Sequence, residues 1–202
     1  MKINKLDGAR RQLLAAIHLH WFFLEPLVVY QLAANASEVC DSLISASGGM
    51  RMREEIASVH GWTEKDVNII INGPRNFVKH ADRNPHDEID EIGFDECDAM
   101  LLTACVDYCL ASKRSPAIVG LFVAWYAAKN PDKTGDFFAD VGDTVFPNLT
   151  ALDHAGQIAA ARKQAQSVLT SDILRDPRTE MTDNWRWAEL QREGQGYRFL
   201  ST

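Results

Sequence analysis

The amino-acid sequence predicts an all-α fold, a bundle of about six or seven helices with a C-terminal helix and tail packed against it. Three observations lead there. Apolar residues recur at spacings of three and four, few segments alternate with the period of a strand, and Gly and Pro punctuate the periodic runs.

The first amphipathic helix spans residues 5 to 23, with Leu6, Leu13, Ile17, Trp21 and Leu24 in register and Arg10, Arg11 and His18 on other faces. Pro26 suits the first turn of a second helix, whose stripe is Val28, Leu32, Ala36, Val39 and Leu43 and which Gly48-Gly49 ends. These two are expected to pack as an antiparallel hairpin. A third helix runs from Met50 to His60 and stops at Gly61. Thr63 with Asp66 then resembles a capping box opening a fourth helix through Ile71. Asn72-Gly73-Pro74 reads as a break, with Pro74 starting a further helix through Arg75 to Ala81. After a loop from Asp82 to about Asp95 come helices at Glu96 to Ala111 and Pro116 to Lys129, closed by Asn130-Pro131. The last long helix is expected over 149 to 170, striped by Leu152, Ala155, Ile158, Ala161, Ala165 and Val168. From Asp176 onward, Trp185, Trp187, Tyr197 and Phe199 suggest a tail held to the body by its aromatics. Residues 1–130 form the bundle in this reading, and 131–202 are a C-terminal extension of the same domain.

At 202 residues, 46% hydrophobic and 24% charged, the composition is that of a globular chain. Its longest uncharged stretch, Ser115 to Ala128, is 14 residues, short of the 18 or so that span a bilayer, so no membrane association is expected. The net charge of −7 argues against broad, nonspecific nucleic-acid binding. The charge is uneven, however. Residues 1–85 hold 10 Lys+Arg against 9 Asp+Glu, and residues 86–202 hold 11 against 19, so an anionic ligand should meet the first part of the chain. The densest acidic run, His86 to Asp98, has seven acids and no Lys or Arg, and reads as a solvated face or loop.

Cys40, Cys97, Cys105 and Cys109 make no Cys-x-x-Cys pair, and Cys105 and Cys109 share a helix face where thiols act as small hydrophobes. Basic residues precede the apolar run Gln12–Leu24, and Ala34-Asn35-Ala36 has the form of a cleavage site. His18, His20 and the Glu25-Pro26 break speak against a signal peptide, and a reducing, cytoplasmic setting is expected.

The chain has no phosphate-cradling Gly-x-x-x-x-Gly-Lys, no Gly-x-Gly-x-x-Gly, no Gly-x-Ser-x-Gly and no His-Glu-x-x-His. Its reactive side chains concentrate between Gly73 and His86, where Arg75, Asn76, Lys79, His80 and Arg83 lie. Arg75-Asn76-Phe77-Val78-Lys79-His80 is an Arg followed after four residues by a His, with Asn directly after the Arg. In this the chain resembles the HEPN superfamily, helical bundles marked by Arg-x(4–6)-His, over residues 6 to 130. Arg11 to His18 and Arg53 to His60 have similar spacing but lack the adjoining Asn.

The resemblance implies a metal-independent endoribonuclease, with Arg75 and His80 catalytic, no cofactor, and a homodimer whose two motifs face each other, or else a noncatalytic relative that binds RNA or a nucleotide. The residue chemistry suits this: an imidazole can take the proton of a ribose 2′-hydroxyl or protonate the leaving oxygen, and a guanidinium can hold the charged phosphorane. Lys79 and Arg83 add a local basic patch for binding. Residues five apart on a regular helix point about 140° from each other. Arg75 and His80 therefore converge only if Arg75 sits in the loop or a partner subunit contributes. Asn76, four before His80, shares its face and could orient the imidazole or bind phosphate. Glu38 on the second helix is the candidate acid for positioning Arg75.

A different enzyme class offers an alternative. His86-Asp87, with His60 or His80 before it and a later Asp, loosely resembles the metal-dependent HD phosphohydrolases, in which imidazole and carboxylate hold a metal that activates water. The remaining histidines read as structural: His18 and His20 diverge from one helix, His60 sits at a helix C-terminus, and His154 lies near the start of the last helix.

Overall fold

A computed structural model describes residues 2–80, 82, 83, 85–166, 179 and 180, with 135–140 and the last two described by their backbone alone. The fold is all-α. Its helices are α1 Lys5–Phe22, α2 Pro26–Ala46, α3 Met52–His60, α4 Glu64–Lys79, α5 Phe94–Ser112, α6 Ala117–Lys129, α7 Pro131–Val145 and α8 His154–Gln166, with a 3-10 turn at Leu149–Ala151. The described residues include one further regular element, a two-residue parallel bridge of Ser115–Pro116 with Thr179–Glu180. No described helix is long and apolar enough to cross a membrane.

The described residues divide into two compact units, one made of 2–16 with those of Glu25–Lys113, the other of Ile17–Leu24 with those from Arg114 onward. In the first unit the most extensive helix pairing is α2 with α5, and the expected α1–α2 hairpin is not among the main pairs. The reason is side-chain size: α2 buries Ala33, Ala36 and Cys40, and α5 buries Cys97, Ala104 and Cys105, small groups that let two axes come close. None of the four cysteines is in a disulfide, and burial pushes the thiols of Cys40 and Cys97 up to about 12.

Local signals fix most helix ends. Gly48 and Gly61 take left-handed backbone at φ 68° and 66°, the conformation that stops α2 and α3. Thr63 accepts from the Asp66 amide at 3.2 Å and Asp66 accepts from the Thr63 amide at 3.0 Å, so the expected capping box opens α4.

Three expectations are corrected. Asn72-Gly73-Pro74 does not break the chain into two helices; Pro74 lies inside α4. The proline leaves the Ile70 carbonyl without its amide four residues on, and α2 supplies the repair. The Tyr30 hydroxyl sits 3.4 Å from the Ile70 oxygen and 3.2 Å from that of Ile71, and the Gln31 amide donates to the Pro74 carbonyl at 2.8 Å. Second, Asn130 ends α6 after Lys129 as expected, but Pro131 at once opens a further helix, α7, for which no separate element was expected. Third, the last helix begins at His154 and not at 149, because Asp153 caps it by accepting from the Gly156 amide at 2.8 Å. Residues 167–170 of the expected helix and the aromatic tail with Trp185, Trp187, Tyr197 and Phe199 lie outside the described residues.

The second unit is built on aromatic packing. Trp21 meets Phe122 at 5.9 Å and Trp125 edge-on at 6.1 Å, while the Trp125 indole donates to the Gln157 carbonyl at 3.0 Å. Gly142 on α7 explains the tight α6–α7 pairing: a Cβ there would lie 2.8 Å from the Ala128 amide nitrogen. His18 and His20 are buried in this aromatic setting, and burial lowers the His18 imidazole to about 4.

Candidate functional site

The site is governed by the register of α4. Val67, Ile71 and Arg75 follow at intervals of four and are the buried residues of that helix, so the helical repeat that carries two aliphatic side chains inward carries the guanidinium with them. Arg75 is 6% exposed. Its charge is met there by Glu38 of α2 in an ion pair, and Asn72 accepts a second hydrogen bond from the guanidinium at 3.3 Å. Arg75 and Glu38, singled out from the sequence as a possible pair, are thus brought together.

The other motif residues are elsewhere on the helix. Asn76 and Lys79 are exposed on its outer face. His80 caps the helix: its backbone amide bonds the Asn76 carbonyl at 2.9 Å, and its backbone turns away at φ −114° and ψ 39°. The imidazole is half-buried, and among the described residues it has no hydrogen-bond partner. Because α4 is unbroken through Lys79, Arg75 does not sit in a loop, and of the two conditions for its convergence with His80 only a second subunit remains. Arg83 is exposed in the loop that follows, four to eight residues before the carboxylates of Asp87, Glu88, Asp90 and Glu91, also exposed.

Glu38 belongs to a larger polar set on α2 that the sequence reading missed. Ser37 donates to Asp107 of α5 at 2.6 Å, and Asp41 holds Arg51 through two contacts of 2.9 Å. Arg51 also reaches Glu54 at 3.1 Å and Glu64 at 2.9 Å. Arg53, 2% exposed, bonds Asn68 and lies 3.9 Å from Asp41. Three neighbouring α2 residues thus reach α5, α4 and the start of α3. Burial dominates at Asp107 and pushes its carboxyl up to about 6, against the Ser37 hydrogen bond. The signal was there: Ser37-Glu38 and Asp41 interrupt an otherwise apolar helix, and Asp107 stands between Cys105 and Cys109 in an apolar segment. Such residues rarely go inside unless paired.

His86 and Asp87 lie in the exposed loop, and among the described residues no group of three or more His, Cys, Asp or Glu side chains converges as metal ligands would. His60 is exposed and stacks on Trp62 at 4.6 Å between ring centres. The chain matches no family model, no curated protein and no solved structure.

Proposed function

We propose that this chain is a noncatalytic, HEPN-like helical module that acts by binding a partner. The observation that carries the reading is the Arg75–Glu38 ion pair. A guanidinium that stabilises a phosphorane must present its donors to the phosphate. Arg75 turns its two terminal nitrogens to Glu38 and Asn72 within the packed face of α4, its Nε is buried there without a partner among the described residues, and extracting the side chain would strand a half-exposed carboxylate. The exposed cations that remain, Lys79 and Arg83, border an acidic loop, which disfavours a polyanion. The test is incubation of the purified chain with single-stranded and structured RNA, with and without chelator. Intact RNA supports the module. Cleavage leaving 2′,3′-cyclic phosphate, abolished by His80→Ala, overturns it.

One observation favours a second reading, a metal-independent endoribonuclease working as a homodimer. The half-buried His80 imidazole has no partner among the described residues and stands one turn from exposed Asn76. In that case a second copy completes the site, His80 moves the 2′-hydroxyl proton, and His80→Ala lowers cleavage by a factor of about 10² or more with chelator without effect.

A further inference from the structure

An open groove of about 480 Å³ lies where the start of α2, the end of α4 and the segment 87–92 meet, all within the first unit. Its apolar lining is Pro26, Leu27, Phe77, Ile89 and Ile92. Its charged lining is Glu25, Asp87, Glu88, Asp90 and Glu91, with no Lys or Arg among the lining residues. Among the described residues none of these five carboxylates makes an ion pair or a hydrogen bond, although elsewhere in the unit Glu38, Asp41, Glu54 and Glu64 are all matched to arginines. Like charges crowded around an apolar surface repel one another, and a cation with an apolar body relieves both that repulsion and the exposure of Leu27 and Ile89.

We propose that this groove binds a basic peptide segment of a partner protein, with apolar side chains on Leu27, Phe77 and Ile89 and Lys or Arg against the carboxylates. A peptide is favoured over a small polycation by the backbone of the groove wall. Residues 87–92 belong to no helix or strand and make no backbone–backbone hydrogen bond among the described residues, which leaves amides and carbonyls for an extended chain to pair with. The inference rests on the interaction-module reading and names its partner class. The two fail separately: RNA cleavage overturns the module without touching the affinity of the groove, and absence of peptide binding overturns the groove without creating a nuclease.

The experiment uses the full chain and a fluorescein-labelled peptide of about eight residues alternating Lys and Leu, long enough to pair along one extended segment. Anisotropy should show saturable binding that weakens as salt rises from about 50 to about 300 mM, since exposed charge pairs are screened. Affinity should fall about tenfold or more in the Asp87→Asn, Glu88→Gln, Asp90→Asn, Glu91→Gln protein. It should also fall in Leu27→Lys, a single exposed substitution whose fold is checked by its melting curve, and for a peptide with Gly in place of Leu. Equal affinity for wild type and the neutralised protein overturns the proposal, as does absence of binding. Displacement by spermine as tight as the peptide itself also overturns it, by assigning the groove to small polycations.

Discussion

Glu38 and Arg75 form an ion pair with unequal ends: the carboxylate side chain is 46% exposed and the guanidinium side chain 7%. The two partners are therefore not equivalent under mutation. Glu38→Ala strands a buried cation, while Arg75→Met leaves a carboxylate that water can solvate and replaces the apolar stem of the arginine. Glu38→Ala should cost about 2 kcal/mol and Arg75→Met distinctly less, read by urea denaturation. The opposite order would mean that the buried charge is satisfied without Glu38.

The repair of α4 by α2 predicts coupling between Tyr30 and Pro74. Tyr30→Phe removes the hydroxyl beside the Ile70 and Ile71 carbonyls and should cost about 1–2 kcal/mol. Pro74→Ala restores an amide that can bond Ile70, so Tyr30→Phe in that background should cost less. A double-mutant cycle measures the difference, and additive effects would show that the proline is not what Tyr30 compensates.

Asp107 gives a pH dependence of definite sign. Its folded value near 6 lies above the usual carboxylate value of 3.8, so the folded state holds the proton more tightly than the unfolded state does. The resulting stability is present in full below the unfolded value and is lost as pH rises through about 6. Asp107→Asn should remove this slope, becoming more stable relative to wild type by at most about 3 kcal/mol between about pH 4 and pH 8. The readout is the wild-type minus variant difference, because His18, lowered to about 4, contributes the opposite slope to both proteins. Parallel pH profiles would place the carboxylate outside the transition.

Gly142 offers a test in the second unit. Gly142→Ala puts a methyl 2.8 Å from the Ala128 nitrogen, a backbone atom that cannot swing aside. Despite the better helix propensity of alanine, the change should destabilise by about 1–3 kcal/mol, seen as a lowered melting temperature. A rise instead would mean that α6 and α7 separate at little cost.

Helix identity and most helix ends were legible because they depend on nearest neighbours: Gly61 and Thr63 act within one turn of where they sit. Pro74 was misread because its local meaning is a break, and the groups that override it, Tyr30 and Gln31, are more than 40 positions away. α7 was missed because its glycines blur the apolar stripe, and Gly142 serves packing, not termination. In the candidate site, the Glu38–Arg75 pairing was legible from a motif, while Ser37–Asp107 and the Arg51, Arg53 and Asp41 set were not, since the sequence does not say which charges go inside together.

The proline within α4 also bears on the order in which the first unit assembles. A helix that mends its own backbone can form early and dock later, but the turn around Pro74 gains its missing donor only when Tyr30 arrives from α2. The segment from Gly73 to Lys79 should therefore order late, its amides gaining protection from hydrogen exchange together with those of α2 and not before them. On that order, the turn that bears Arg75 would become helical only in the company of the helix that supplies Glu38.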